Sequence, residues 1–122
     1  MPFDDEGFYD FFLQAIHNPN MGVWLTEDES KVIGIAGALF YSMYFSPSSM
    51  VAQELWWWLT PEARGKGAGQ AMYDMIEAWA TAKNATALFM VALEDANAEK
   101  MSQIYHRKGF RLMERTYMKK VP

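Results

Sequence analysis

One stretch, Leu59-Thr60-Pro61-Glu62-Ala63-Arg64-Gly65-Lys66-Gly67-Ala68-Gly69, decides how this chain is interpreted. It follows the apolar run Val51 to Leu59 and precedes a helical pattern of apolar residues. Glycines at the start of a helix let backbone N–H groups approach a ligand closely, and the positive end of the helix attracts a phosphate. Arg64 and Lys66 add two positive charges. The stretch indicates an anion-binding loop or, more simply, a tight connection between a strand and a helix.

Two other phosphate-binding motifs do not fit this loop. A Walker A loop needs a glycine where Thr60 stands and a Ser or Thr where Gly67 stands. A dinucleotide-binding loop needs Gly or Ala three residues past Gly67, at the position of Gln70. The sequence therefore predicts neither a Walker A site nor hydride transfer.

The residues before the loop predict a helix, a hairpin and a central strand. The helix is capped by Asp4 or Asp5 and ends at Asn18-Pro19-Asn20. Its apolar positions have helical spacing and are Phe8, Phe11, Phe12, Ala15 and Ile16. Val23-Trp24-Leu25 and Val32 to Phe45 predict a hairpin around Glu27–Ser30. We expect Ser46–Ser49 to break the chain before the central strand Val51–Leu59, which is apolar on both faces.

The residues after the loop continue the alternation of helix and strand. A helix runs from Gln70 to about Lys83, and an apolar strand follows at Ala87–Leu93. A second helix runs from about Asn97 to Lys108 and is stopped by Gly109. The segment from Phe110 to Val121 predicts one or two further strands with a bend near Glu114.

A second block carries a family resemblance together with the loop. It comprises Asn97-Ala98-Glu99-Lys100 and Ile104-Tyr105-His106-Arg107-Lys108-Gly109-Phe110. The loop resembles the Arg/Gln-x-x-Gly-x-Gly/Ala acyl-CoA loop of the GNAT superfamily of N-acetyltransferases, and the second block resembles the last helix of that superfamily, with its Asn, its Tyr and its closing Gly-Phe. The resemblance extends from about Val51 to the C-terminus and, loosely, over the preceding hairpin. Most members carry another strand and helix at the N-terminus, so the acceptor side is expected to be minimal or to be completed by another subunit in a homodimer.

The resemblance implies the fold and the reaction. The fold is a single α/β (α+β) domain over residues 1–122, with a mixed, mostly antiparallel sheet, splayed central strands and flanking helices. The reaction is transfer of the acetyl group of acetyl-CoA to a primary amine of a small molecule or peptide, through a tetrahedral intermediate and without a metal. The rival function is a non-catalytic CoA-binding or interaction module with the same fold.

The resemblance also places the co-substrate. The pyrophosphate would lie on the N–H groups of the loop residues Arg64, Gly65, Lys66, Gly67, Ala68 and Gly69. The pantetheine would lie between the splayed strands, where backbone groups near Trp58, Leu59 and Thr60 are unpaired and one N–H can polarise the thioester carbonyl. Asn97 would bind the pantetheine or the thioester region, or would simply cap its helix.

Acyl transfer to an amine needs a base for the ammonium and an acid for the leaving thiolate. Tyr105 stands at the position of the family's acid, although a Tyr on an apolar helix face is ordinarily a core residue. Glu54 is the only acid in the central strand and shares a face with Trp56 if the strand is regular. It is the base candidate. The alternatives are an ion pair of Glu54 with Lys or Arg, a bulge that brings Gln53 to the working face instead, and a relay through water.

Charge indicates the kind of acceptor. Residues 1–63 carry a net charge of −8 and residues 64–122 a net charge of +4. The acidic half suits a cationic amine, and Trp56 or Trp58 could line an aromatic pocket for it. His17 and His106 are expected to be surface residues, because no Ser motif or metal-spaced partner accompanies them.

Composition excludes further classes. The chain has 122 residues and no cysteine, which rules out disulfides, thiolate nucleophiles and Cys-ligated metals. No apolar run approaches the roughly 20 residues of a membrane span, and the first ten residues are acidic where a signal peptide is basic. We therefore expect a cytoplasmic protein with no membrane partner. The acidic balance also argues against binding to nucleic acid.

Overall fold

The computed structural model describes residues 1–94 and 96–122, which form two compact units, Met1–Val91 and Ala92–Pro122. The first unit contains the helices α1 (Asp5–His17) and α2 (Ala68–Ala82) and the strands β1 (Met21–Asp28), β2 (Lys31–Met43), β3 (Ser46–Leu59) and β4 (Ala87–Phe89). A 3-10 turn, Pro61–Ala63, precedes α2, and the second unit contains α3 (Ala98–Arg107). Among the described residues, no helix is both long enough and apolar enough to cross a membrane.

The four strands form one mixed sheet in the order β1-β2-β3-β4. β1, β2 and β3 are antiparallel neighbours, and β4 is parallel to β3. The β1–β2 turn has Glu29 and Ser30 at φ 50° and 66°, the left-handed conformation that suits a two-residue hairpin. The predicted hairpin and the central position of β3 are both confirmed.

The two faces of the sheet are covered by different helices. The α2 side holds a core of Ala36, Ala38, Leu59, Met72 and Ile76. On the other side, the Trp56 ring meets Phe8 and Phe11 of α1 edge-on, with centroids 5.6 and 5.9 Å apart. A Cβ at Gly37 would collide with the Trp56 indole, so the glycine makes room for this ring. The expected mixed sheet with flanking helices is confirmed.

The N-terminal helix begins as predicted but buries little of its apolar stripe. Asp4 is the N-cap, and its carboxylate accepts from the Gly7 N–H at 3.0 Å. Ala15 is the buried residue of α1, whereas Phe11 and Ile16 are 41% and 52% exposed. The predicted stripe is therefore only partly covered.

Two predicted strand boundaries are wrong. Ser46–Ser49 does not break the chain, because β3 begins at Ser46. A register shift between Ser42 and Met43 accommodates this irregular start, which is where a sheet tolerates a proline such as Pro47. The following strand is shorter than Ala87–Leu93, since pairing of β4 with β3 ends at Phe89.

In the second unit, α3 ends as predicted but no strand follows it. Gly109 has φ 91°, and the Phe110 N–H donates to the Tyr105 carbonyl at 3.0 Å, which closes the helix. Residues 110–122 contain no strand. A strand needs a partner for its backbone groups, and the unit to which these residues belong contains no other strand among its described residues. The prediction of one or two C-terminal strands is therefore wrong.

A β-bulge in β3 sets the orientation of the residues around it. Ala38 pairs with Glu54 and Gly37 pairs with Trp56, so Leu55 has no partner of its own on β2. Directly paired residues share a face of the sheet. Glu54 is therefore on the Ala38 side, which faces α2, whereas Trp56 is on the opposite side.

Candidate active site

The glycine loop is shaped by left-handed backbone conformations. Gly65 has φ 78° and Gly67 has φ 91°. A Cβ at either residue would meet no atom within 4 Å. Glycine is therefore favoured here by the backbone conformation and not by crowding.

The loop leaves the N-terminus of α2 open to a ligand. Gly67 is the N-cap and provides no side-chain cap, and the first turn contains no acidic residue. The first backbone bond of the helix runs from the Ala71 N–H to the Gly67 carbonyl. The N–H groups of Ala68 and Gly69 therefore have no carbonyl partner within the helix, and they lie at its positive end.

The two cations of the loop have different surroundings. Arg64 is half-buried, and its Nε donates to the Leu59 carbonyl at 3.1 Å. This bond ties the loop to the end of β3. Lys66 is exposed. Arg64 thus stiffens the loop while its charge remains beside the N-terminus of α2.

The strands β3 and β4 pair over only three residues. The last pair is Gln53 with Phe89, although β3 continues to Leu59. From Glu54 onward, the side of β3 that faced β4 has no strand bonded to it within this sheet. This arrangement is the expected opening between the two strands.

The prediction of unpaired backbone groups at the end of β3 needs correction. The Thr60 N–H donates to the Ile33 carbonyl at 2.8 Å. Hydrogen-bonded pairs alternate along an antiparallel ladder, so Trp58, opposite Ile35, is bonded to β2 as well. The N–H of Leu59 points away from β2. Leu59 is therefore the residue of the three whose N–H faces the opening.

Glu54 lies where the opening between β3 and β4 begins. Its side chain is 6% exposed, and its Oε2 accepts from the Val91 N–H at 3.0 Å. The carboxylate thus binds the chain just after β4, where backbone pairing has ended. Burial raises the pKa of Glu54 to about 7, and the Val91 hydrogen bond opposes part of that rise. Its hydrogen-bond partner is a backbone N–H, and no Lys or Arg among the described residues forms an ion pair with it, so the alternative of an ion pair is not supported.

The bulge separates Glu54 from Trp56 and brings Gln53 to the Trp56 face. Gln53 pairs with Leu39 on that face, and its Oε1 accepts from the Tyr41 hydroxyl at 2.6 Å. Trp56 Nε1 is buried and has no hydrogen-bond partner among the described residues. The expectation of a regular strand is therefore wrong, and the bulge alternative describes β3 correctly.

Asn97 and Tyr105 belong to the second unit. Asn97 is exposed at the N-cap of α3 with φ 64°, and its side chain makes no capping bond. Its carbonyl accepts from the Met101 N–H at 3.2 Å. Tyr105 is 7% exposed, and its ring lies 5.7 Å from that of Phe110. The side chain of Asn97 thus does not serve as a helix cap.

Residues that the sequence did not single out also contribute to this region. The Val91 N–H, just after β4, donates to Glu54, and the Tyr41 hydroxyl, on β2, donates to Gln53. No local pattern marks them, because each bond joins residues far apart in the sequence. His17 and His106 are exposed, as predicted.

Comparison with known proteins identifies the fold and the family. The model of the acetyltransferase (GNAT) family matches residues 1–110. No match was found among curated proteins. The aminoglycoside 6'-N-acetyltransferase AAC(6')-IG of Acinetobacter haemolyticus has a similar structure, with a TM-score of 0.78 and 17% identity over 100% of this chain and 86% of that chain.

Two similar structures contain CoA derivatives. AAC(6')-Iy in complex with the bisubstrate analogue CoA-S-monomethyl-acetylneamine gives a TM-score of 0.79 with 16% identity, over 98% of this chain and 81% of that chain. A predicted acetyltransferase of Clostridium acetobutylicum with acetyl-CoA gives a TM-score of 0.76 with 18% identity, over 98% and 78% of the two chains. At these identities the likeness establishes the fold.

The buried Glu54 predicts a pH-dependent stability. The pKa of its carboxyl is raised from 4.5 to about 7 in the folded chain, so between these values the folded state holds a proton that the unfolded state has lost. The free energy of unfolding should therefore fall by about 2–3 kcal/mol as pH rises from 4.5 to 7. Glu54→Gln removes this titration while keeping an oxygen for Val91. Urea unfolding of both proteins between pH 4 and 8 should show the variant gaining relative stability as pH rises; a pH-independent difference would contradict the assignment.

Proposed function

This chain belongs to the GNAT acetyltransferase family, and on that premise we propose that it transfers the acetyl group of acetyl-CoA to a cationic primary amine. One observation carries the proposal. The part of β3 that runs free of β4 has a buried carboxylate at its start, Glu54, and leads to the open helix N-terminus at Gly67. The first group can accept a proton, and the second can bind phosphate.

The anion-binding end suits the pyrophosphate of acetyl-CoA. The N–H groups at a helix N-terminus beside glycines in left-handed conformations can form a phosphate site, and Arg64 and Lys66 add positive charge. The thioester would then extend back along β3 toward Glu54. The Leu59 N–H faces this path and supplies the hydrogen bond to the developing oxyanion. Thr60 follows Leu59 at this end of β3, but its N–H is bonded to the Ile33 carbonyl and is not available to the co-substrate.

The chemical step uses Glu54 and Tyr105. Glu54 takes a proton from the ammonium, directly or through one water, and the freed amine attacks the thioester carbonyl carbon. The new C–N bond forms in a tetrahedral intermediate, the C–S bond breaks, and Tyr105 gives a proton to the departing thiolate. The nitrogen loses its remaining extra proton to water, and Tyr105 regains a proton from water. A pKa of about 7 leaves Glu54 about half ionised at neutral pH, so it can both accept a proton and release it again near that pH. Asn97 is assigned to the pantetheine or thioester region.

Charge supports a cationic acceptor. The acidic half of the chain includes four exposed acids at the N-cap and in the first half of α1: Asp4, Asp5, Glu6 and Asp10. These exposed carboxylates attract ammonium groups to the protein through long-range electrostatics. The named relatives include aminoglycoside N-acetyltransferases, so aminoglycosides belong in the first panel of amines, beside polyamines and lysine peptides. The homodimer, the single domain and the cytoplasmic location stay predictions.

Acetyl-CoA should bind at the glycine loop. Gly67→Glu places a carboxylate at the helix N-terminus, where it repels phosphate, and calorimetry should show loss of the binding seen with the unmodified chain, expected at micromolar Kd. Gly67→Lys is the matched control, because it carries the same left-handed strain and a comparable size with the opposite charge. Equal affinities for the two variants would contradict the assignment of the loop.

Glu54→Gln should change the pH dependence of the reaction. The variant keeps the shape of the side chain but loses its basicity, so turnover of a cationic amine should fall most near neutral pH and should recover at higher pH, where more amine is already unprotonated. Glu27→Gln is the control, since it removes one negative charge from an exposed position outside the proposed site. A pH–rate profile of Glu54→Gln identical to that of the unmodified chain would leave a water relay without Glu54 as the mechanism.

Removal of the Tyr105 hydroxyl should slow thiolate departure. Tyr105→Phe keeps the ring that contacts Phe110, and kcat should fall by about 10²–10⁴-fold if proton donation limits the rate, with little change in acetyl-CoA affinity. Steady-state kinetics and calorimetry on the same preparation separate these effects. Full activity in Tyr105→Phe would assign Tyr105 to packing alone.

A further inference from the structure

The outer edge of β1 carries backbone groups that β2 does not bind. Within the described part of the chain, β1 pairs with β2 alone, at one end of the sheet. The Phe40 N–H donates to the Asn20 carbonyl at 2.7 Å, so Asn20 faces β2. Bonding directions alternate along an antiparallel ladder. Val23 and Leu25 therefore direct their N–H and C=O groups away from β2, where another strand can bind them.

A groove of about 400 Å³ follows this edge. Residues 21–25 of β1 form its floor, Phe12, Ala15 and Ile16 of α1 form one wall, and Trp79 of α2 lies on the other side. Consecutive side chains of a strand point to opposite faces of the sheet. A groove lined by all of residues 21–25 therefore runs along the edge of the strand, between the two helix layers, which is the position of an added strand.

The groove has exposed apolar side chains on the α1 side. Val23 pairs with Gly37, which in turn pairs with Trp56, so Val23 lies on the face that α1 covers. Leu25 lies on the same face, because it is two residues further along the strand. Leu25 is 51% exposed, and Ile16 of α1 is exposed to the same extent. A strand placed beside β1 would cover both side chains while it binds the outward backbone groups.

The two ends of β1 carry opposite charges. Glu27, Asp28 and Glu29 are exposed at its C-terminal end. Before its start, the Lys83 Nζ donates to the Pro19 carbonyl at 2.6 Å, which holds a cation there. A strand of eight residues spans about 27 Å, whereas exposed charges interact over roughly 8–10 Å at physiological salt. These charges therefore do not neutralise one another within one chain, but an antiparallel strand of the same sequence would bring them together.

We propose that the groove is occupied by β1 of a second copy of this chain, paired antiparallel about a two-fold axis at Trp24. Residues with outward backbone groups then meet, since Val23 pairs with the partner subunit's Leu25 and the symmetry repeats the pair. Glu29 and Pro19 are equally far from Trp24 in the sequence. The acidic turn therefore lies beside the partner subunit's Pro19, where a lysine is held. The sheet becomes continuous across the dimer, which does not depend on the reaction proposed above.

Blocking the edge of β1 should dissociate the dimer. Val23→Pro removes an outward N–H and spares the hydrogen bonds to β2, and Leu25→Lys places a charge on the edge. Sedimentation equilibrium of the full chain should give a Kd that is roughly micromolar and that rises by about tenfold or more in either variant. Leu112→Lys is the matched control, because Leu112 is 59% exposed and lies in the segment after α3. Circular dichroism checks the fold, and Leu25→Lys is sufficient if Val23→Pro does not fold.

A charge exchange tests the antiparallel register. Lys83→Glu should raise the dimer Kd by about 3- to 30-fold, because the two-fold axis places each exposed ion pair in the interface twice. Lys83→Glu combined with Glu29→Lys should restore the Kd of the unmodified chain. The two positions lie at opposite ends of β1, so the rescue reports a contact between subunits and not one within a chain.

The outcomes distinguish the possible occupants of the groove. Dissociation by the edge variants, an intact dimer in Leu112→Lys and rescue by the double charge exchange support the pairing of two β1 strands. An equal loss in Leu112→Lys would assign the added strand to residues 110–122 of the second copy and would overturn this pairing. A chain that stays monomeric at its highest soluble concentration, a dimer that the edge variants leave intact, or a double variant without rescue would overturn it as well.

Discussion

The architecture of this chain depends on the point at which β3 and β4 stop pairing. Up to Gln53 and Phe89 the two strands share a parallel ladder. One residue after Gln53, the backbone pairing has ended, and the Glu54 side chain accepts a hydrogen bond from the Val91 N–H. The Val91 N–H lies just past the last backbone pair of the ladder, and Glu54 gives it a hydrogen-bond partner. This arrangement costs the burial of a carboxylate. The strands can separate beyond this point because the Val91 N–H, at the start of the opening, has a hydrogen-bond partner.

Separation of the strands also explains how α2 is attached. The segment of β3 beyond Glu54 loses a neighbouring strand, and its stability then comes from β2 on one edge, from α2 on one face and from α1 on the other. Trp57 and Leu59 supply the contacts with α2, and Arg64 binds the Leu59 carbonyl. The same contacts fix the N-terminus of the helix relative to the free edge of β3. The proposed phosphate-binding end and the proposed base Glu54 can therefore keep a constant spacing along β3.

Sequence patterns predicted what depends on neighbouring residues. The glycines and flanking cations marked the start of α2, the apolar run marked β3, and Asp4 marked the start of α1. Backbone conformation and helix capping are local properties, so a short stretch is sufficient to reveal them.

Features that arise between distant residues were not predictable in the same way. The bulge at Leu55 exists only relative to the register of β2, and it reverses which of Gln53 and Glu54 shares a face with Trp56. The partner of Glu54 lies 37 residues away in the chain. The segment after Gly109 was expected to form one or two strands, yet pairing with another strand decides whether a strand forms.

The adjacent rings of Trp56 and Trp57 have a spectroscopic consequence. They are neighbours on one strand, but the first touches Phe8 and Phe11 of α1 and the second touches Tyr73 of α2. Fluorescence of a tryptophan responds to the polarity and motion of its immediate surroundings. A chain in which one of these two indoles is the sole tryptophan would report on a single helix layer, and the pair of such chains would show whether the two layers detach from the sheet together or in sequence.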